Sequence, residues 1–268
     1  MKNKALLVGI NKYPNPSNEL RGCINDILDM EHFISTANAA TNKMYATENI
    51  KKLTNSHATK KEIVHQIKWL LEGAEAGDQL LFHYSGHGAQ VPTQHSNMEE
   101  DGLDEIICPY DYDGTAATTL RDKEFALLFA GIPKGVHFVW ISDSCHAEDL
   151  SRDLKQEETT IYRQFHGVMP VVQDKLIETP AVAIATITAP LNGALLSACA
   201  SHELSADAYI NNRFNGAFTH YLIKNLMRYS DSKTMQAIIK LVNIDLDKNG
   251  YDQNPEIEGL LENKTFFI

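Results

Sequence analysis

Two short stretches of this chain carry residue types that can do covalent chemistry. Ser85-Gly-His-Gly88 holds His87 between two glycines, and Asp143-Ser-Cys-His146 holds Cys145. A free thiol, with a pKa of about 8.5, is a weak nucleophile near neutrality. A nearby imidazolium lowers that pKa and can later protonate a leaving amine, so a Cys and a His together suffice for acyl transfer. The bare amide of Gly88, with that of Cys145, is a candidate pair of donors to a developing oxyanion, each typically worth ~3 kcal/mol of transition-state stabilisation. Taken singly, a cysteine after a strand reads as inert packing and a histidine as a satisfied core residue; found together at strand ends, each in a turn of glycine or small residues, they are expected to expose their side chains. His83 and His95 also lie near His87, but they straddle a strand and a glycine turn and would not share a face on which to hold zinc.

The two stretches can meet only if the elements before them are neighbours. Leu80 to Tyr84 and Val136 to Ile141 are apolar runs of strand length, and each motif follows the end of one of them. Ala5 to Ile10 is a third buried strand, followed by a loop rich in Pro and Asn from Asn11 to Asn18. Leu20, Ile24, Ile27, Met30 and Ile34 recur at helical spacing, and Thr59-Lys-Lys-Glu62 has the form of a capping box opening a helix that Gly77-Asp78 stops. Further on come a strand over Ala194 to Cys199, helices over Phe218 to Tyr229 and Met235 to Leu246, a close at Gly250, and an edge strand from Thr265 to Ile268. Strands alternating with helices predict a largely parallel sheet covered on both faces, with its sites at the carboxyl ends of the strands.

Bulk properties narrow the function classes. With 43% apolar residues the 268-residue chain can build a substantial core. No run of eighteen apolar residues occurs and the N-terminal apolar stretch is too short for a signal segment, so the expectation is a cytoplasmic protein without membrane attachment. Cys23, Cys108, Cys145 and Cys199 lie far apart with no CxxC pair, which suits a reducing compartment rather than a disulfide scaffold. The balance of 24 Lys+Arg against 35 Asp+Glu gives a net charge of -11, which repels nucleic acid and suits cationic peptides or metal ions.

Phe82-His-Tyr-Ser-Gly-His-Gly88 and Asp143-Ser-Cys-His146 together resemble the two catalytic boxes of metacaspases and their prokaryotic relatives, the orthocaspases. Ala5 to Asn11, Leu20-Arg-Gly-Cys-Ile-Asn-Asp26, Asp101-Gly-Leu-Asp-Glu105 with Pro109, and Ser205-Ala-Asp-Ala208 leading to Gly216-Ala-Phe218 extend the likeness over most of the chain, leaving out residues 148–193. The resemblance implies a caspase-hemoglobinase fold, a three-layer α/β/α sandwich around a mostly parallel sheet. It implies one peptidase domain over 1–268, with a large part over 1–150, a connecting segment over 151–193 and a small part over 194–268. It also implies a monomer, a His87–Cys145 dyad, and an acidic S1 pocket built from Asp26, Ser85 and Asp143. Two carboxylates in one pocket would take a guanidinium or ammonium by charge-assisted hydrogen bonds, so cleavage after Arg or Lys in protein or peptide substrates is expected.

Departures from the family pattern qualify this reading. His146-Ala147-Glu148 stands where His-Ser-Gly is usual, making the loop beyond Cys145 more acidic. The chemistry needs no cofactor, but calcium activates many metacaspases; Asp104 and Asp122 match the calcium cluster, the position after the nucleophile falls at Arg152 or, with one inserted residue, at Asp153, and Lys123 stands at an acidic position. Ca²⁺ prefers six to eight hard oxygens, which a lysine in the shell opposes. A catalytically weak scaffold or adaptor that binds a basic partner in the acidic cleft is the alternative from another class, and a Cys-His relative specific for Asp or Asn is the rival among enzymes. Residues 148–193 are too long for a simple connection. They carry Arg152, Lys155, Arg163 and Lys175, and so form a candidate self-cleavage or autoinhibitory tether of a zymogen; surface hairpins, with a strand over Ala181 to Thr188, are the other possibility.

Overall fold

A computed structural model describes residues 2–36, 45–93, 102–145, 160–165, 188–200 and 202–267. The elements in chain order are β1 (Asn3–Gly9), α1 (Cys23–Thr36), β2 (Ile50–Thr54), α2 (Lys60–Leu71), β3 (Gln79–Ser85), β4 (Gly88–Pro92), β5 (Leu103–Ile107), β6 (Leu120–Arg121) and α3 (Asp122–Phe129). They continue with β7 (His137–Asp143), β8 (Thr160–Tyr162), β9 (Ala194–Ser197), β10 (Ala206–Ile210), β11 (Arg213–Gly216), α4 (Ala217–Tyr229), α5 (Met235–Lys248) and β12 (Glu256–Glu258).

Six strands form the central sheet in the order β12-β9-β7-β3-β1-β2, all parallel except β12 at one edge. The apolar runs become the inner strands because both of their faces are covered. Ala5, Leu7, Leu81, Val139 and Ile141 face a core shared with α1, α4 and α5; Leu6, Val8, Leu80, Phe82 and Phe138 face a second core under α2 and α3. The result is the α/β/α sandwich that the alternation of elements predicts. Two antiparallel three-stranded sheets, β4-β5-β6 and β11-β10-β8, stand beyond the carboxyl ends of the central strands.

Three local expectations change. The helix opened by Thr59 ends at Leu71 rather than at Gly77-Asp78, because Gly73 already takes a left-handed conformation (φ +63°). Only half of the capping box forms: the Thr59 hydroxyl accepts from the Glu62 amide, while the Glu62 side chain bonds Gln66 instead. Thr265 to Phe267 forms no strand; Phe266 and Phe267 are buried against α1, and the edge strand is β12. Among the described residues no helix is long and apolar enough to cross a membrane.

The second core is anchored by an aromatic cluster in which Phe125 lies 4.6 Å from Trp140, 5.8 Å from Phe129 and 5.9 Å from Phe82, ring centre to ring centre. Because α3 is short and holds its place through these rings, Phe125→Ala should cost about 3–5 kcal/mol of unfolding free energy in a urea titration.

Candidate active site

The register of the central sheet decides where the chemistry sits. Ser85 on β3 pairs with Asp143 on β7, so His87 and Cys145 each lie two residues beyond the same level of adjacent parallel strands. The Gly86 amide donates to the Asp143 carbonyl (3.2 Å), tying the two strand ends together. A Cβ on Gly88 would stand 2.0 Å from the Cys145 carbonyl oxygen, so only glycine lets the two turns close on each other.

His87 is held at its backbone and at its ring. Its amide donates to the Tyr13 hydroxyl (3.0 Å), and its carbonyl accepts from the Tyr84 hydroxyl (2.7 Å) and the Cys108 amide (2.9 Å). Nε2 stands 2.9 Å from the Asn18 carbonyl. A carbonyl can only accept, so Nε2 carries the proton of the neutral ring and Nδ1 is its basic nitrogen. Tyr13, Asn18 and Tyr84 were not singled out from sequence, although Tyr13 and Asn18 belong to the loop rich in Pro and Asn after β1.

The expectation of an exposed thiol on a strand end is corrected. Cys145 is fully buried and His87 nearly so, because β8 and the residues after it lie over the cleft. Tyr162 packs on Cys145 and Leu204. The Cys145 Sγ accepts from the Ser205 amide (2.9 Å) and faces the Ser205 carbonyl (3.5 Å). Burial pushes the thiol up to about 12. The Ser205 amide, the charge of Arg163 and the Arg163 amide all work the other way, favouring the thiolate without overcoming burial. With the cleft covered, Cys145 is therefore a protonated thiol at neutral pH.

Asp26, Ser85 and Asp143 come together as the resemblance implies, and Asp207 joins them. The pocket they make is filled by Arg163, whose side chain is fully buried. Its Nη2 lies 2.6 Å from Asp26 Oδ2 and 3.3 Å from Asp207 Oδ1; its Nη1 lies 3.0 Å from Asp143 Oδ1, 2.9 Å from the Asp143 carbonyl and 2.8 Å from the Ser85 hydroxyl. Burial alone would lower the guanidinium pKa, but the surrounding negative groups, Asp143 foremost, raise it above its ordinary value. Fixed donors hold the carboxylates in turn: Asn215 and the Gly216 amide on Asp26, Ser205 and Thr219 on Asp143, and the Arg21 and Gly22 amides on Asp207. Gly216 is bare for a reason, since a Cβ there would stand 2.2 Å from Asp143 Oδ2 and 2.7 Å from Arg163 Nη2. Asp207 lay within a segment that resembles the family, but its role needed the fold: it reaches the pocket from β10, 64 residues beyond Asp143 (207 minus 143).

Residues matched to the calcium cluster do not fit a cation. Asp104 is buried with Lys123 Nζ at 2.5 Å from Oδ1 and Arg121 Nη1 at 2.7 Å from Oδ2, and Lys123 also stands 3.4 Å from Asp122 Oδ2. Burial works to raise the Asp104 pKa, yet the hydrogen bonds and charge of Lys123, with help from Thr93 and Arg121, hold it below the ordinary carboxylate value. Calcium would have to displace two internal cations to reach that carboxylate. Asp153 lies outside the described residues, as does His95. His83 is buried against the Thr219 hydroxyl (3.4 Å), and among the described residues no group of three His, Cys, Asp or Glu is arranged to hold a metal.

Comparison with known proteins agrees with this geometry. Metacaspase-1 of Meyerozyma guilliermondii is 28% identical over 96% of this chain and 69% of its own length. Metacaspase-1A of Aspergillus niger is 30% identical over 96% of this chain and 70% of its own. Metacaspase-1 of Coccidioides immitis is also 30% identical, and there the chain spans only 61% of the relative's length. A crystal structure of a Geobacter sulfurreducens protein superposes with a TM-score of 0.69 at 24% identity, covering 96% of this chain and 92% of that one, which supports the fold. The metacaspase, peptidase C14 domain model matches residues 3–153, the part that carries both motifs. The chain belongs to the metacaspase family of caspase-like cysteine peptidases.

Proposed function

We propose that this chain is an endopeptidase that hydrolyses peptide bonds after arginine, and after lysine less readily, through Cys145 and His87. The observation that carries the reading is the seat of Arg163: a guanidinium bonded by three carboxylates beside the candidate nucleophile. A guanidinium spreads its donors over two nitrogens that reach different carboxylates, whereas an ammonium presents one point charge on a stem of different reach. An acidic P1 side chain would meet Asp26, Asp143 and Asp207 and be repelled.

The proposed chemistry runs in two stages. His87 Nδ1 accepts the thiol proton as Cys145 Sγ attacks the carbonyl carbon of the P1 residue. The Gly88 amide donates to the oxygen on which charge develops. The imidazolium then gives its proton to the leaving amine, and a water activated by Nδ1 hydrolyses the thioester. Orientation of the ring by the Asn18 carbonyl keeps Nδ1 in the accepting role.

Four outcomes are expected of the purified protein. Cys145→Ala and His87→Ala should each abolish cleavage of an Arg peptide, with the double variant no worse than either single one, because the pair acts as a unit; full activity in Cys145→Ala would sink the nucleophile assignment, and a wild type that binds basic peptides without cutting them would favour a binding protein that holds a basic partner in its acidic cleft. In a P1 panel, Arg should lead Lys and Asp should be inert. Asp207→Asn should lower kcat/KM for Arg peptides by roughly tenfold to a hundredfold, the size of one charge-assisted hydrogen bond. Because Lys123 sits where a calcium ligand would, millimolar Ca²⁺ should leave the wild-type rate unchanged, and Lys123→Asp, assayed with and without Ca²⁺, should make activity rise with the ion.

A further inference from the structure

Behind the carboxylate pocket lies a histidine that the proposed chemistry does not use. His83 is fully buried on β3, and the sheet register sets it between Leu7 on β1 and Ile141 on β7. Its Nε2 stands 3.4 Å from the Thr219 hydroxyl, which stands 2.6 Å from Asp143 Oδ2. A carboxylate only accepts, so the hydroxyl gives its one proton to Asp143 and offers His83 a lone pair. Nε2 therefore carries the proton of the neutral ring, and Nδ1 is left bare. Nδ1 is buried and has no hydrogen-bond partner among the described residues. One hydroxyl thus links a basic nitrogen with an open lone pair to a wall of the pocket.

The charges that act on this ring belong to the pocket. Burial pushes the imidazole down to about 4; Asp143 on β7 works against that, and the guanidinium of Arg163 adds to it. On the helices over this face of the sheet, α1 brings Asp26, and α4 brings Thr219 with His220 beside it, the latter under the charges of Asp26 and Asp29. Asp207 on β10 stands on the far side of the guanidinium. With Arg163 seated, the imidazole is neutral near pH 7. Without a cation, the one charge that opposes the imidazolium is gone and Asp143 acts on it unopposed. The carboxylates themselves are poorly placed to take up a proton, because fixed donors already fill them: Asn215 and the Gly216 amide on Asp26, Ser205 and Thr219 on Asp143, two loop amides on Asp207. Bare Nδ1 has no such donor in its way.

We propose that His83 is the counter-group of the pocket: Nδ1 takes a proton from solvent when no cation is seated among Asp26, Asp143 and Asp207, and returns it to solvent when a basic side chain enters. This rests on the reading of the pocket as a seat for arginine or lysine and adds a proton to that binding equilibrium. His83 touches no reacting atom; it is a positioning residue that acts through Thr219 and Asp143. Proton and guanidinium compete for one excess of negative charge, so each weakens the other to the same degree. The ring titrates at a lower pH when the pocket is filled than when it is empty, and seating a cation releases a proton between those two values. Acidification through that window therefore weakens the hold on a basic side chain, and a neutral residue at position 83 removes the dependence.

The test is NMR of the histidine rings in the full chain carrying Cys145→Ala, with acetyl-arginine amide as the probe. With Arg163 in place, His83 should stay neutral down to about pH 5, above its filled-pocket value of about 4. Arg163→Gln should move its midpoint up by about one pH unit or more, the size of one close charge removed, and the probe should move it back. Calorimetry of probe binding in two buffers of different ionisation heat should show proton release near the new midpoint, and His83→Asn, which keeps a donor for Thr219, should lose it. Should Arg163→Gln fail to fold, Arg163→Gln with Asp207→Asn leaves one fewer carboxylate unpaired and should show the same rise at smaller size. A midpoint that does not respond to loss of Arg163 overturns the proposal. So does proton release that survives in His83→Asn, which would put the proton on a carboxylate such as Asp207. A midpoint that rises in a variant unable to bind the probe supports the counter-group and overturns the pocket's reading as a substrate seat.

Discussion

The site depends on one buried electrostatic arrangement, three carboxylates around a single guanidinium. Asp26, Asp143, Asp207 and Arg163 are all withdrawn from water, and ions so placed cost several kcal/mol each unless paired and hydrogen-bonded. The pocket meets that cost by fixing each carboxylate with donors from a different element: a backbone amide and Asn215 for Asp26, Thr219 and Ser205 for Asp143, two amides of the loop before α1 for Asp207. One guanidinium against three carboxylates still leaves an excess of negative charge. Burial accordingly raises the pKa of Asp207, even though Arg163 and the Arg21 amide act to lower it. A pocket of this kind is stable only when a cation fills it or water floods it. Occupation by a basic side chain is therefore part of how the two sides of the fold stay joined.

That arrangement can exist because a parallel sheet ends all its strands on one side. Ser85 and Asp143 are brought level by the pairing of β3 with β7, and the chemistry-bearing residues follow two positions later on each strand. β10 and β11 then deliver Asp207, Asn215 and Gly216 from across the cleft, and α4 begins at once with Thr219 against Asp143. The three tyrosine and asparagine contacts on His87 come from the β1 loop and from β3 itself. The placement of His87 beside the turn that carries Cys145 is a property of the sheet register and of short, well-bonded turns.

The central strands were readable from apolar runs because both of their faces are buried, and α1, α2, α4 and α5 from their 3.6-residue period; α3, eight residues long, was not read. Harder to see were β2, the small β4-β5-β6 sheet and the β10-β11 hairpin, whose Lys, Asp, Asn and Gln residues carry no period a single sequence reveals. His87 and Cys145 stood out by glycine context and residue type. Asp207 did not, since an isolated acidic residue on a hairpin has no local mark of its partners. Exposure of Cys145 was misjudged for a similar reason: the strand that covers it lies fifteen residues further on (160 minus 145), beyond the reach of any periodicity argument. Arg163 was visible only as one of several basic residues in a long connection, and nothing in its neighbours distinguishes it from Arg152 or Lys155.

Covering the cleft with its own strand gives the chain two properties that oppose each other. The strand excludes water, which strengthens the contacts to Arg163 but also raises the thiol toward its protonated form, so that any attack by Cys145 would need a base such as the proposed His87 to take its proton. The same strand supplies the charge that the pocket needs: without Arg163, Asp26, Asp143 and Asp207 would face one another with no internal cation between them. Whatever takes the place of Arg163 must therefore bring a positive charge or let water reach the carboxylates, and the geometry that seals the cleft is the geometry that defines what can enter it.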